Sequence, residues 1–457
     1  NRANIERWFA LTKATMESCT PSSSSNSSGA EAGASGGKKV EKAQAASADA
    51  HTDTNPPLEG AIDGKVVTRF PPEPSGYLHI GHVKACLLNE YYAKRYHGKL
   101  ILRFDDTNPS KEKDEFVENI LHDLKSLEIH PDETTYTSDH FPKMLVLAEK
   151  MIKKGMLYAD DTPVEKMREE RMEGIDSVRR NRPVEENLKV FKEMQQGTEE
   201  GQKHCIRVKL DMQNPNKALR DPVCFRCNLT PHHRTGTAYK VYPTYDFACP
   251  YVDSAEGVTH ALRTIEYKDR EAQFKWILKL QQEVEPSLPN VNIWEFSRLN
   301  MVNTVMSKRK LNRLVTEGHV NGWDDPRLLT LAGLRRRGYT ATAINSFCRD
   351  SGITKNDQQF PYHKLEHHAR SNLDEIAPRR LGVLRPLKVA IENVAPDFLE
   401  VVKAKVFPGR SDETYELEFV VEFTNRGPSP VDSAYSISLP VSLRKRFRGH
   451  GAPHSKI

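Results

Sequence analysis

Long apolar runs are absent from this chain of 457 residues. None approaches the roughly 18 residues that a membrane-spanning helix needs, so no membrane partner is expected. Cysteine is scarce: seven residues, an odd number and widely scattered. That argues against a disulfide framework and for a reducing, cytoplasmic compartment. A dominant charge is missing as well. The net charge of +5 permits a polyanionic partner without requiring one. Basic residues do gather at Arg335 to Arg337, at Arg379 and Arg380, and from Arg444 to Arg448; such runs are usually solvated faces and gain meaning only beside other signs of nucleic acid. A signal-peptide pattern and an initiating methionine are also lacking, and a chain that begins at Asn1 is expected to be a fragment. What is present, 37% hydrophobic and 28% charged residues, describes an ordinary soluble protein with room for roughly two to four domains.

Ser, Gly, Ala and Pro dominate residues 20–64, which read as a flexible linker. From Lys65 the pattern alternates. Val66–Phe70 and Leu100–Phe104 are strand-like, with an amphipathic helix over 81–96 between them, a βαβ unit expected to cross over right-handed in a parallel sheet. Phe116, Ile120, Leu121, Leu124 and Leu127 mark the next helix. Residues 159–240 break the alternation with charged helices and a strand pair, Cys205–Met212 and Val223–Leu229. Strands are expected again at Tyr239–Phe247 and Val258–Ile265, followed by a helix around Phe274–Leu280. The fold class is therefore α/β: a Rossmann-type parallel sheet whose halves, 65–158 and 241–310, flank an insertion. Residues 311–380 read as all-helical. Beyond them Leu384–Ile391 and Tyr415–Phe423 alternate like barrel strands, whereas Asn425–Ile457 carries no convincing element.

His79-Ile80-Gly81-His82 holds the most chemistry. It follows a strand and a Pro/Gly turn, and it opens a helix whose apolar positions are Val83, Leu87, Leu88, Tyr91 and Tyr92. Two imidazoles three residues apart then share one face of a first helical turn, where backbone N–H groups and the dipole favour anions. Gly81 between them lets a flat ring or a phosphate approach the backbone. The plainer reading is a helix start with two solvated histidines. Val305-Met306-Ser307-Lys308-Arg309-Lys310 is the second motif. Lys308 on a small-residue loop suits charge that builds on transferring phosphates, and the plainer reading is a solvated basic loop. Cys224-Phe-Arg-Cys227 with His232 and His233 has the outline of a zinc set. Four residues between the last cysteine and the first histidine is tighter than finger motifs use, however, and Val223 to Cys227 alternates like a strand, so no structural metal is expected.

Together the first two motifs resemble the signature pair of class I aminoacyl-tRNA synthetases, and the blocks around them resemble the glutamyl/glutaminyl branch. Leu102-Arg-Phe-Asp105-Asp-Thr-Asn-Pro, Tyr136-Thr-Ser-Asp-His, Arg220-Asp-Pro, Tyr242-Pro-Thr-Tyr245-Asp-Phe-Ala-Cys, Gly257-Val-Thr-His-Ala-Leu-Arg263-Thr-Ile-Glu-Tyr, Trp323-Asp-Asp-Pro-Arg and Leu334-Arg-Arg-Arg-Gly match it in order, over roughly Lys65 to Glu392. The resemblance implies a two-step reaction through an aminoacyl-adenylate, with ATP, accompanied by Mg2+ on its phosphates, and tRNA as partners. It implies catalytic roles for His79, His82 and Lys308. It implies ATP contacts from Glu73, Pro74, Ser75, Gly81, Lys84, Ala85, Thr264, Arg298, Leu299, Met306 and Ser307 besides. Asp105 matches the position that holds the substrate ammonium, and Arg69 and Tyr245 match positions facing its side chain. Residues 159–240 match the insertion that grips the tRNA acceptor end, 311–380 a helical connector, and 381–457 a shortened β-barrel anticodon-binding domain with an irregular tail. Ile5, Trp8, Phe9 and Leu11, within residues 1–19, resemble the last helix of a glutathione-transferase-like domain that serves assembly with other synthetases or a factor.

Arg263 bears on which amino acid is used. Glutaminyl enzymes carry a small residue there and eukaryotic glutamyl enzymes an arginine, which would pair a γ-carboxylate and be left unpaired by an amide. Ile293 also matches the glutamyl form. Ile344-Asn-Ser-Phe-Cys and Ala377-Pro-Arg-Arg look more glutaminyl-like but lie outside the pocket. The expectation is therefore L-glutamate and tRNA(Glu). A glutaminyl enzyme, a tRNA-modifying glutamyl transferase and a non-catalytic scaffold remain as alternatives.

Overall fold

The computed structural model describes residues 55–356 and 358–377, together with the backbone of 399–405 and 414–420. Its centre is a parallel sheet in which Lys99–Phe104 lies between Val67–Phe70 and Glu133–Tyr136, with Val67 opposite Lys99 and Ile101 opposite Glu133. A second parallel pair, His260–Thr264 with Asn292–Phe296, adjoins it through Thr259. The Thr259 N–H donates to the Val67 carbonyl at 3.0 Å, and the Val67 N–H donates to Thr259 Oγ1 at 2.9 Å. Positions 67 and 259, far apart in sequence, thus become sheet neighbours, and the half-sheets meet edge to edge as a doubly wound arrangement requires.

The Ile80–Arg95 helix is buried on two sides, which is why its apolar residues nearly encircle it. Val83, Cys86 and Leu87 pack with Leu100, Leu102, Ile120 and Leu124. Leu88 and Tyr92 pack with Leu58, Val66, Leu262 and Phe296. The turn after this helix needs glycine, because a Cβ at Gly98 would lie 1.9 Å from the Val66 carbonyl oxygen. The last residues of the stretch read as linker are also packed: Leu58 is buried, and the Tyr92 hydroxyl donates to the Pro56 carbonyl at 2.8 Å. A lone leucine after two prolines is enough to anchor it.

Residues 157–243 form a four-stranded antiparallel sheet in the order Leu157–Asp160, Cys205–Val208, Val223–Cys227, Val241–Pro243. The helices Phe141–Lys153 and Val184–Gln196 cover it through Met144, Met151, Phe191 and Met194. Expected strands run shorter than the sequence suggests: Val223–Leu229 ends at Cys227, Val258–Ile265 is His260–Thr264, and two others differ more. Cys205–Met212 stops at Val208. Tyr239–Phe247 stops at Pro243, and a helix runs from Tyr245 to Ala255. Pro243 has no N–H to continue a ladder, and Phe247, Ala248, Tyr251 and Val252 recur at helical spacing and enter the core. The region read as all-helical, 311–380, also contains a short strand, Gln358–Phe360, parallel to Leu299–Met301. Leu399–Lys405 and Thr414–Val420 pair antiparallel, so part of the expected strand Tyr415–Phe423 is seen. The segments 1–19, 20–54, 384–391 and 425–457 lie outside the described residues.

Candidate active site

His79 is not inside the helix; it is the N-cap. Its Nδ1 accepts the Gly81 N–H at 3.1 Å, and His82 Nδ1 in turn accepts the His79 N–H at 3.1 Å, a capping box built from two imidazoles. The rings stack with centroids 3.8 Å apart. Burial, with Arg298 and Lys308 nearby, holds the His79 pKa down at about 3. Burial and then His79 itself lower that of His82. With Nδ1 accepting on each ring, the neutral tautomer carries its proton on Nε2, so each histidine offers one N–H donor and no charge.

This arrangement corrects one expectation. The helix-start amides are not open to an anion, because Ile80 N–H donates to Leu329 O, Gly81 N–H to His79 Nδ1, and His82 N–H to His79 O. Nor does Gly81 leave its face clear: a Cβ there would lie 2.9 Å from His79 Cε1 and 3.0 Å from Met306 Cε. Side chains, rather than free amides, supply the donors.

Lys308 begins the helix Lys308–Thr316 and reaches back across the strand ends. Its ammonium donates to the Glu73 carbonyl at 2.8 Å and to Ser75 Oγ at 3.2 Å. Burial lowers its pKa against the pull of Glu73, Asp105 and Glu112. The two signature motifs therefore share one site. Arg298 pairs with Glu266 at 3.1 Å beside it. Met306 and Ser307, with Arg298, Asn300, Thr304 and Lys310, line a cleft of about 240 Å³. Leu299 and Ala85 belong to the packing behind it. The Pro74 carbonyl accepts the Lys113 N–H at 3.2 Å, Lys84 is buried, and Thr264 ends its strand.

Asp105 follows the central strand directly. Burial raises its pKa to about 7, helped by Asp106 and Glu73 and opposed by Arg103. Arg69 and Arg103 both grip Asp253. Arg69 Nε lies 2.9 Å from Asp253 Oδ1, Arg103 Nη2 pairs with the same oxygen, and Arg103 Nη1 reaches Glu256 at 3.0 Å. Burial alone would raise the Asp253 pKa, yet the two guanidinium groups hold it at about 2. Arg69 Nη1 donates to the Leu262 carbonyl, so much of its bonding capacity is committed within the protein.

Arg263 differs. Its Nε and Nη1 are buried without a hydrogen-bond partner. The guanidinium carbon sits 4.8 Å from the Tyr267 ring centroid, 5.5 Å from that of Phe274 and 5.9 Å from that of Tyr245. Sequence reasoning missed Arg103, Asp253 and Glu256. Asp253 lies eight residues after Tyr245 on one helix, a spacing that returns to the same face and could have revealed it.

The zinc-like residues separate. Cys224 Sγ donates to the Ile206 carbonyl and Cys227 Sγ to that of Gly201, while the histidines turn to Asp106. Ligand atoms of Asp106, His232 and His233 lie within 4.8 Å of one another. His232 nevertheless uses both nitrogens: Nε2 sits 2.9 Å from the Asp106 carbonyl, and Nδ1 accepts the Arg234 and Thr235 N–H groups. Arg234 Nη1, 3.9 Å from Asp106 Oδ2, already supplies positive charge. The group reads as a clamp between the strand-end loop and the insertion.

The sheet and this site define a class: the chain belongs to the family of class I tRNA synthetases for glutamate and glutamine, whose catalytic domain it matches over residues 65–375. Within that family it is 54% identical over 337 residues to the cytoplasmic glutamate–tRNA ligase of Saccharomyces cerevisiae, covering 74% of this chain and 47% of that protein. It is 51% identical over 328 residues to the bifunctional glutamate/proline–tRNA ligase of Mus musculus, covering 72% and 21%. It is 45% identical over 362 residues to the cytoplasmic glutamine–tRNA ligase of Arabidopsis thaliana, covering 79% and 45%. The chain spans about half the length of the first curated relatives it matches. A glutamate-tRNA synthetase structure from Elizabethkingia anophelis superposes with a TM-score of 0.50 at 20% identity, covering 68% of this chain and 70% of that one, which shows the shared fold.

Proposed function

We propose that this chain ligates L-glutamate to tRNA(Glu). In the first step the α-carboxylate of glutamate attacks the α-phosphorus of ATP, which enters with Mg2+ on its phosphates, and pyrophosphate leaves. In the second a ribose hydroxyl of tRNA attacks the acyl carbon, and AMP leaves. Neutral His79 and His82 donate Nε2–H groups to phosphate oxygens, and Lys308 offsets the charge that grows during transfer. Asp105 takes the α-ammonium, and Tyr245 shapes the side-chain end. The observation that carries the reading is Arg263, a buried guanidinium with two unpartnered nitrogens. A γ-carboxylate satisfies it and an amide does not. The names of the relatives, cytoplasmic glutamate–tRNA ligases at 54% and 56% identity against 45% for a glutamine enzyme, favour the same choice and a cytoplasmic location.

We further read 65–158 and 241–310 as the two catalytic halves, 159–240 as the acceptor-binding insertion and 311–380 as a helical connector. Residues 381–457 begin an anticodon-binding barrel in this reading, supported by the antiparallel pair at 399–405 and 414–420. Assembly with other synthetases through an N-terminal region is consistent with the fused glutamate/proline relatives. ATP–pyrophosphate exchange with each amino acid tests the assignment. Glutamate should be preferred by more than about 10²-fold, and a preference for glutamine would replace it with the glutaminyl reading.

A further inference from the structure

The loop Glu73–Tyr77 is gripped from two sides. On one, Lys308 donates to the Glu73 carbonyl and to Ser75 Oγ. On the other, the Trp323 indole stacks on Tyr77 with centroids 5.8 Å apart and 16° between planes. Phe116 stands edge-on to both rings, at 6.1 and 6.2 Å. The indole also sits against Gly76, where a Cβ would lie 3.0 Å from Trp323 Cη2.

Trp323 is itself fixed. Thr330 Oγ1 donates to the Trp323 carbonyl at 2.5 Å and accepts the Gly333 N–H at 3.1 Å, which caps the Leu331–Arg336 helix. The Asp325 carboxylate closes the turn between them by accepting from the Asn321 and Arg327 N–H groups. Thr330 then meets His79 in an antiparallel bridge: Leu331 N–H donates to Leu78 O at 2.9 Å, and Ile80 N–H to Leu329 O at 3.3 Å. One strap of the connector, Trp323–Leu331, therefore touches the segment from Glu73 to the His79 cap at two places, at Gly76 and Tyr77 in its middle and at its His79 end. Neither Trp323 nor Thr330 is among the residues assigned to substrate.

We propose that Trp323 and Thr330 are positioning residues for ATP activation, and that the strap they bound holds the Glu73–Tyr77 loop and the His79 imidazole in register with Lys308. This rests on the adenylate-forming reaction proposed above. The stacked indole sets how far the loop can retreat from Lys308, and the Thr330 bridge sets the height of the N-cap on which both imidazoles depend. A misplacement of about 1 Å at such a site costs on the order of 10²-fold in rate.

Four variants test it by glutamate-dependent pyrophosphate exchange and by hydrogen exchange of backbone amides. Trp323→Ala and Thr330→Val should each lower kcat by about tenfold to 10²-fold, with KM for glutamate moving less than about twofold. Trp323→Phe and Thr330→Ser, which keep a ring and a hydroxyl, should restore most of the rate. In Thr330→Val the Ile80 and Leu331 amides should exchange faster while Ile101, in the central strand, does not. An unchanged kcat in Trp323→Ala and Thr330→Val would overturn the proposal. So would a loss that the conservative variants fail to rescue, or one accompanied by faster exchange at Ile101, which would mark general unfolding. If the unmodified chain activated no amino acid, the reading of its function would fall, and the amide exchange at Ile80 and Leu331 would still decide whether the strap holds the cap.

Discussion

Replacing Arg263 by cysteine gives the sharpest test of substrate choice. The side chain is 6% exposed and lies among the rings of Tyr245, Tyr267 and Phe274. Its Nε and Nη1 have no partner in the protein. Removing one partner of a buried, hydrogen-bonded charge pair costs 2–5 kcal/mol. Taking about 3 kcal/mol, and 1.36 kcal/mol per factor of ten, kcat/KM for glutamate should fall by on the order of 10²-fold. Fold stability should respond far less. The cation–π interactions that the substitution removes are worth about 2 kcal/mol when desolvated, as here, and relief from an unpartnered buried cation offsets much of that. Arg263→Lys keeps the charge but loses the planar fork, so it should fall between the two. The assay is pyrophosphate exchange with glutamate and glutamine on each protein, beside thermal unfolding. Relative use of glutamine should rise in Arg263→Cys without producing a good glutamine enzyme, since Ile293 still offers no amide-facing group. A glutamate loss below roughly fivefold, against the 10² expected, would refute the reasoning. So would equal losses for the two amino acids.

Three further outcomes follow from the site. Lys308→Ala should slow adenylate formation by on the order of 10²-fold in single-turnover kinetics, with ATP affinity changing less, because the contact matters most in the transition state. Glutamate KM should climb as pH falls below about 7, where burial has raised Asp105, by up to about tenfold per unit; protonation removes the charge that the α-ammonium needs, and a flat profile between roughly pH 5.5 and 8 would separate Asp105 from that role. His79, held at about 3, stays neutral across that range and does not mask the effect. Gly81→Ala should reduce kcat by about tenfold, since its Cβ would press on His79 Cε1 at 2.9 Å, while the unfolding midpoint should move little because alanine's helix preference offsets the weakened cap.

The sequence carried the frame of this molecule further than its details. Strand–helix–strand alternation located the Val67–Phe70 and Lys99–Phe104 strands within a residue of where they lie, because short apolar-rich runs bounded by turn residues flank an amphipathic helix. The motifs at His79 and Lys308 were legible as chemistry, and they share one site. What resisted was hydrogen-bond bookkeeping. Composition cannot say that the helix-start amides are consumed by a capping box, or that Arg69 spends its Nε on Asp253. Helical periodicity from Tyr245 was hidden because Val241–Pro243, a true strand, precedes it with only Thr244 between. The strand Gln358–Phe360 is three residues long, and it exists only because Leu299–Met301 offers an edge; no local pattern encodes that.

In the proposed reading, the compensation of charge at Asp253 leaves Arg263 freer than Arg69 to meet the substrate side chain. Three buried guanidinium groups, Arg69, Arg103 and Arg263, lie near the buried carboxylate of Asp253 and the half-buried one of Glu256. Arg69 and Arg103 are paired with those carboxylates, and Arg263 is left with unpartnered nitrogens. In that reading glutamate brings its ammonium to ionised Asp105 and its γ-carboxylate to Arg263, so these two charges each meet an opposite. Glutamine would fill the same volume and leave the Arg263 cation buried against an amide. Pairing Arg69 with Asp253 in advance would leave this discrimination mainly to Arg263. If Asp253 were removed, Arg69 would become a second claimant for the γ-carboxylate, and glutamate preference would then survive the loss of Arg263. The double variant Asp253→Asn with Arg263→Cys should accordingly keep more glutamate preference than Arg263→Cys alone, provided circular dichroism shows both folded. Identical preference in the two would mean that Arg69 cannot reach the substrate whatever its charge state.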